Sequence, residues 1–292
     1  MKIEDIRHVL VVGAGTMGRQ ISLQCAMHGY DVTLYDIAPE ALEAATGQLK
    51  EYAAHLMAWG RLSQKEADAA LKRITTTNNA REAAVQADLV SESVPEDPKL
   101  KCRVFARFNK LCPSRTIFTT NSSELLPSFM AEKTGRPDKF AALHFHQHVW
   151  EANVVDIMPH PGTSKKTVEL LRAFAERIGQ IPIMLKKEHP AYVFNNMLNA
   201  FLGSALTLAM NDVASVEEID RAWVGVTKMI VGPFGILDTI GLDLAWKITE
   251  SGAKFTGDKQ LQEQADFLKQ YVDKGWLGVK SGRGFYRYTA ET

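Results

Sequence analysis

The segment Gly13-Ala14-Gly15-Thr16-Met17-Gly18 carries the spacing GxGxxG, and the chemistry that spacing suits is the holding of a pyrophosphate. Gly13 permits a tight turn, Gly15 lets phosphate approach the backbone, and Gly18 lets a helix pack against the preceding strand. The motif alone is weak evidence. Here it directly follows the apolar run Val9–Val12 and opens a helical stretch that runs to His28. A second strand pattern, Asp31–Tyr35, then delivers Asp36 eighteen residues past Gly18. That context marks a dinucleotide fingerprint. The helix N-terminus would offer free N–H groups and the positive end of its dipole to the phosphates. A carboxylate at Asp36 accepts hydrogen bonds from ribose hydroxyls and repels a 2′-phosphate, at a cost of up to about 4 kcal/mol near contact distance. No Arg follows it in Ile37-Ala38-Pro39. The expected cofactor is NAD rather than NADP, held by Gly13, Gly15, Thr16, Met17, Gly18 and Asp36.

The elements that must position this turn are legible as a pattern. Strand-like runs recur at Leu89–Val90, Thr116–Thr119, Phe140–Leu143, Val154–Ile157 and Ile181–Leu185, with helical stretches between them. Such alternation predicts βαβ units and a mainly parallel sheet. Residues 38–73 read as a helical hairpin, with Pro39 in a first turn and Ser63-Gln64-Lys65-Glu66 as a capping box. Beyond residue 187 the pattern turns helical. Pro190–Asn211 is apolar nearly all round, which predicts a buried helix, and Ser215–Glu218 forms another capping signal. The expected fold is α/β: a Rossmann-type N-terminal domain over 1–186, then an all-α C-terminal domain over 187–292.

Composition excludes several classes. At 292 residues the chain has room for about two domains. Lys plus Arg and Asp plus Glu are 34 each, so no basic surplus suggests a nucleic-acid partner. Three cysteines, Cys25, Cys102 and Cys112, without a CxxC pair, suggest neither a disulfide framework nor a zinc cluster. No apolar stretch is long enough to span a bilayer, and Met1–Asp5 does not read as a signal peptide. A cytoplasmic protein is expected. His144, His146 and His148 alternate at a strand period and could share one face. A metal site needs at least three ligands in the right geometry. None is expected here, and His146 and His148 read as cleft-lining or solvated.

Further segments narrow the reading. They are Thr120-Asn121-Ser122-Ser123, Leu143-His144-Phe145 followed by Asp156, Pro190 to Asn195, Gly232-Pro233-Phe234 through Asp238 to Asp243, and Lys280 to Tyr286. Their order and spacing resemble the L-3-hydroxyacyl-CoA dehydrogenase family over nearly the whole chain. The run His144–Trp150 is similar to the diketoreductase branch. Pro159–Pro161, Val94–Glu96 and Leu125–Ser128 resemble the lambda-crystallin (gulonate dehydrogenase) branch. The resemblance implies NAD-dependent interconversion of an L-3-hydroxyacyl and a 3-ketoacyl compound. It implies His144 as the proton partner, a role that suits an imidazole near working pH. It implies Ser123 as a hydrogen-bonding partner of the substrate oxygen, Asn195 as the group polarising the keto oxygen, and Asp156 as the acid paired with His144. It also implies cofactor contact at Glu96, Lys101, Asn121, Gln147 and Lys280, and a homodimer formed through the helical domain.

The sequence departs from the family at telling places. The family's Glu twelve residues past the His is Asp156 here, one methylene shorter. Its Phe-Phe-Asn-Pro run is Phe145-His146-Gln147-His148, and its Pro-Gly-Phe is Pro190-Ala191-Tyr192. Trp150 reads equally as a substrate-stacking or a packing residue. Ala41–Gly60, in the helical pair that meets CoA in the family, holds one cation, Lys50. That is a thin supply for CoA phosphates. Three readings stay open: a 3-hydroxyacyl-CoA (3-hydroxybutyryl-CoA) dehydrogenase, a reductase or dehydrogenase of CoA-free 3-keto and 3-hydroxy compounds, and an inactive NAD-binding, crystallin-like protein. A 6-phosphogluconate-like enzyme would need a Lys in Pro190–Asn211, and that stretch has none.

Overall fold

A computed structural model of the chain describes residues 1–288. The chain divides into two compact units, Met1–Val193 and one that begins at Phe194.

The first unit is built on one sheet. Its elements are β1 (His8–Val12), α1 (Thr16–Met27), β2 (Asp31–Tyr35), α2 (Pro39–Ala58), α3 (Gln64–Lys72), β3 (Ile74–Thr77), α4 (Ala80–Ala84), β4 (Leu89–Glu92), α5 (Pro98–Asn109), β5 (Ile117–Thr120), α6 (Pro127–Ala131), β6 (Phe140–Phe145), β7 (Val154–Pro159), α7 (Lys165–Arg177) and β8 (Ile181–Met184). The strand order is β3-β2-β1-β4-β5-β6-β7-β8. Every neighbouring pair is parallel except β6 and β7. The reversal of order at β1 and β4 is the switch point at which doubly wound sheets bind ligands. Alternate residues of β1 enter two different cores. Val9 and Val11 pack with Ile21, Leu34 and Leu143, while Leu10 and Val12 pack with Phe105, Phe118 and Phe140. Burial on both faces makes such strands read as continuous apolar runs.

The helical hairpin at 38–73 is present as α2 and α3. Pro39 opens α2, and Ser63 and Glu66 complete both halves of a capping box on α3. β3 escaped the sequence pattern. It is Ile-Thr-Thr-Thr at the sheet edge, buried on neither Thr75 nor Thr76, so no apolar run announces it.

The second unit contains α8 (Phe194–Met210), α9 (Val216–Thr227), α10 (Pro233–Ile240), α11 (Leu242–Thr256) and α12 (Lys259–Val272). Leu202, Leu206, Phe234, Leu237, Leu242 and Leu268 form its core. The expectation of a fully buried helix over Pro190–Asn211 is corrected. α8 starts four residues later and buries only Leu202, Ala205 and Leu206, while Met197 and Leu208 stay exposed.

Two buried carboxylates organise this unit. Asp220 accepts hydrogen bonds from the Phe234 and Gly235 N–H groups and the Tyr286 hydroxyl at 2.9, 3.1 and 3.0 Å. Asp238 accepts from the Phe285 and Tyr286 N–H groups and the Tyr288 hydroxyl, each at 2.9 Å. A Cβ on Gly284 would stand 1.9 Å from the Asp238 carboxylate, so only glycine fits there. The spaced motifs of the C-terminal third are thus one hydrogen-bonded lock.

Candidate active site

The three motif glycines differ in what surrounds them. Gly13 has φ +109°, and a Cβ there would meet the Ser93 carbonyl oxygen at 2.6 Å. A Cβ on Gly18 would meet the Gly13 carbonyl oxygen at 1.9 Å, which is how α1 packs so close to the turn. A Cβ on Gly15 would meet nothing within 4 Å. Gly15 is therefore not demanded by the protein's own packing, and a group approaching its backbone accounts for it. Gly15 also caps α1 without a side chain, leaving first-turn N–H groups to a ligand. Asp36 lies just past β2, with its carboxylate accepting from the Ala14 and Ala38 N–H groups at 2.8 and 3.0 Å. These bonds aim the acid across the glycine turn. Turn, helix end and carboxylate fit a dinucleotide.

A second cluster sits on β6 and β7. Their antiparallel register places His144 directly opposite Asp156. Facing residues of such a pair share one side of the sheet, with Cβ atoms about 4.5–5.5 Å apart. The twelve-residue spacing is thus the arithmetic of a strand reversal, and an Asp suffices to reach the imidazole. His144 Nδ1 lies 3.1 Å from Asp156 Oδ2, and His144 Nε2 lies 3.1 Å from Ser123 Oγ. His144 and Asp156 are buried, whereas Ser123 is exposed. The line therefore runs from an interior carboxylate outward to an accessible hydroxyl.

Charge states follow from the surroundings. Burial pushes His144 below the ordinary histidine value, against the upward pull of the Asp156 hydrogen bond, with His146 adding to the downward push. Burial pushes Asp156 up, but the hydrogen bonds from His144 and His146 outweigh it and hold the carboxyl below its usual range. An ionised carboxylate only accepts, so both ring nitrogens facing it carry hydrogens. His144 Nε2 is then the lone-pair nitrogen, facing Ser123.

Three neighbours carried no clear signal in the sequence. His146 places Nε2 3.1 Å from the same Asp156 oxygen, and its ring meets His144 edge-on at 4.9 Å. Tyr192 stacks on the His144 ring at 4.3 Å and 11°, and its hydroxyl donates to the Ser122 carbonyl at 2.6 Å. Ala191 and Tyr192 adopt left-handed backbone, φ 60° and 53°. Glu92, at the end of β4, is fully buried and accepts from Lys101 Nζ at 2.7 Å, the Val94 N–H at 2.8 Å and the Thr120 hydroxyl at 2.7 Å. A buried acid with its own lysine nine residues on is the pattern that would have flagged it.

The remaining expected cofactor residues scatter. Thr16 and Met17 open α1. Lys101 is buried, and its ammonium donates to Glu92 and the Val94 carbonyl at 2.7 and 3.1 Å and pairs with the Glu96 carboxylate at 3.2 Å. Glu96 also accepts from the Ser122 hydroxyl. Asn121 ties β5 to β6 by accepting from the Phe145 N–H at 2.8 Å. Gln147 and His148 are exposed in a turn where His148 has φ 62°, so the three alternating histidines do not share a face. Trp150 packs on Tyr52 at 5.1 Å. On the second unit, Asn195 lies in the first turn of α8, and Lys280 pairs with Asp243.

Residues 8–189 match the model of the 3-hydroxyacyl-CoA dehydrogenase NAD binding domain, and residues 192–288 match that of the family's C-terminal domain. The chain belongs to the 3-hydroxyacyl-CoA dehydrogenase family. It is an NAD-dependent oxidoreductase acting on CH–OH groups. A probable 3-hydroxybutyryl-CoA dehydrogenase of Bacillus subtilis (strain 168) is 32% identical over 288 residues, covering 99% of both chains. The mitochondrial hydroxyacyl-coenzyme A dehydrogenase of Homo sapiens is 32% identical over 97% of this chain and 91% of its own. Among solved structures, a diketoreductase described for dual catalysis of dicarbonyl compounds is 40% identical, with TM-score 0.90 over 97% of this chain and 99% of its own. Among the described residues, no helix is long and apolar enough to cross a membrane.

Proposed function

We propose that this family member interconverts an L-3-hydroxyacyl-CoA and a 3-ketoacyl-CoA of short chain, the 3-hydroxybutyryl-CoA type. The observation that carries the reading is the hydrogen-bonded line Ser123–His144–Asp156. Bound at the glycine turn, NAD would supply the hydride acceptor or donor for the substrate's carbon 3. In oxidation His144 Nε2 accepts the proton of the substrate alcohol, and in reduction it returns a proton to the same oxygen. Asp156 keeps the ring's other proton at Nδ1, so that Nε2 is the atom whose protonation changes. It also stabilises the imidazolium formed in oxidation. Ser123 hydrogen-bonds the reacting oxygen. By the family resemblance, Asn195 polarises the keto oxygen.

Gly13, Gly15, Thr16, Met17 and Gly18 hold the pyrophosphate, Asp36 the adenosine ribose, and Glu96, Asn121, Gln147 and Lys280 the rest of the cofactor. Lys101, the remaining cofactor contact of the resemblance, also pairs with the Glu96 carboxylate at 3.2 Å. Residues 1–186 serve as the NAD-binding domain and 187–292 as a helical domain for substrate and dimerisation. Val226, Ile230, Leu244 and Phe255 are exposed apolar residues of the helical unit, with Ile230 at 97% and Phe255 at 90%. A homodimer is the outlet for that surface. The protein acts in the cytoplasm on a small-molecule substrate.

One observation favours a second reading, a CoA-free dicarbonyl or 3-keto substrate. The diketoreductase is 40% identical, against 32% for the CoA enzymes quoted. Ala41–Gly60 of the helical hairpin also holds a single Lys or Arg, Lys50. The test is NADH consumption with acetoacetyl-CoA beside free acetoacetate and a β-diketo ester. Turnover on the thioester supports the first reading. Turnover on the CoA-free compounds alone replaces it with the second, and turnover on none refutes both.

A further inference from the structure

We propose that His144 Nδ1, His146 Nε2 and Asp156 Oδ2 form a site for one divalent transition-metal ion, with Zn²⁺ the reference case, and that filling it switches the proton relay off. Both imidazole nitrogens stand 3.1 Å from the same carboxylate oxygen, and the three ligand atoms lie within 4.8 Å of one another. Ligand atoms at about 2.0–2.1 Å from a tetrahedral zinc ion stand about 3.3–3.4 Å apart. Two edges of the triangle therefore need to open by about 0.2–0.3 Å, and the third, between the two imidazole nitrogens and bounded only by 4.8 Å, must come to the same spacing by rotation of the His146 ring. Two nitrogens and one carboxylate, with a fourth position for water, is a donor set that zinc accepts and that calcium and magnesium, which want mainly oxygen, do not.

The ligands sit on firm supports. His144 and Asp156 face each other on β6 and β7, and His146 follows one residue past β6. Access runs past His146, whose side chain is 14% exposed against 4% for His144 and 1% for Asp156. Position 146 is where the 3-hydroxyacyl-CoA dehydrogenase pattern has Phe, so the third ligand goes with the diketoreductase-like run His144–Trp150.

The ion changes tautomers without redox chemistry. Each imidazole now carries its hydrogen on the nitrogen that faces Asp156. Coordination needs a lone pair on those same atoms. The ring proton of His144 therefore moves from Nδ1 to Nε2, and that of His146 from Nε2 to Nδ1, each ring staying neutral. His144 then presents an N–H to Ser123 and has no lone pair with which to accept a substrate proton. The glycine turn is untouched, so NADH binding persists. The switching half of the proposal rests on the relay described under Proposed function, whereas the binding half does not.

The experiment titrates Zn²⁺ by calorimetry into the full chain as wild type, His146→Phe and Asp156→Asn. NADH turnover of the wild type is followed in parallel during Zn²⁺ addition and then EDTA addition. The expected result is one ion per chain at micromolar affinity or tighter, weakened at least about 10-fold in each variant. Turnover should fall in step with occupancy and return with EDTA. No stoichiometric site, or equal affinity in wild type and His146→Phe, would overturn the site and place any bound ion elsewhere. Variant-sensitive binding with undiminished turnover would overturn the switch and the relay assignment together, while leaving the ligand set standing. Should Asp156→Asn fail to fold, His146→Phe still decides the binding claim.

Discussion

Asp156→Asn keeps the size of the side chain and removes its charge. In the native protein Oδ2 accepts from both His144 and His146 at 3.1 Å. A neutral amide cannot match the imidazolium that forms when His144 accepts a proton. Hydrogen bonds to charged groups are worth about 1.5–3 kcal/mol. At about 1.36 kcal/mol per tenfold, that predicts a roughly 10- to 160-fold loss of kcat. Should the amide NH₂ turn toward the ring, His144 would hold its proton on Nε2, and the loss would grow toward about 10⁴-fold. The pH profile gives an independent sign. Burial lowers the His144 pKa and the Asp156 bond opposes that, so removing the carboxylate lowers it further. Reduction uses protonated His144 and is lost as pH rises through this pKa, and oxidation uses neutral His144 and is lost as pH falls through it. Both limbs should therefore move to lower pH. Steady-state rates in both directions across a pH series read both effects. A kcat within about twofold of wild type with unmoved limbs would refute the reasoning.

Gly15→Ala should leave the melting temperature nearly unchanged, because its Cβ meets nothing, yet weaken NADH binding about 10-fold or more, whereas Gly18→Ala should lower stability by about 2 kcal/mol or more through backbone overlap with Gly13. Thermal melts paired with NADH titration separate the two, and equal effects on both readouts would contradict the division of roles. Tyr192→Phe leaves the buried Ser122 carbonyl without its donor and should cost about 1–3 kcal/mol in denaturant unfolding, with the ring stack on His144 retained. Unchanged stability would show that this bond contributes nothing. Ile230→Asp should shift the protein toward monomer in sedimentation experiments, and a wild type already monomeric would remove the dimer reading.

Much of the fold was readable because its central strands are buried on both faces and its helices carry caps. β3 was not, since an edge strand of threonines needs no apolar run. Pro190–Asn211 misled for the opposite reason: composition reports how apolar a helix is, not whether its own unit covers it, and α8 buries only three residues. At the site, the glycine turn and Asp36 announced themselves by local spacing. The meeting of His144 with Asp156 rests on a strand register that local pattern does not fix, and it entered only through the family resemblance. Sequence gave no reason to join His146 to Asp156, because that contact depends on where the chain leaves β6. Tyr192 was hidden likewise, since its approach to His144 follows two left-handed residues that neither Ala191 nor Tyr192 advertises. Lys101 is a cofactor contact by resemblance, and the buried ion pairs it makes with Glu92 and Glu96 follow from a fold contact that local pattern does not show.

The most direct test of the account is the turnover of His144→Gln with NADH and acetoacetyl-CoA, or with whichever keto substrate the wild type reduces. NADH affinity is measured alongside. Loss of the proton partner should cut kcat about 10²-fold or more while NADH affinity stays unchanged. Near-normal turnover in that variant would contradict the claim that His144 moves the proton.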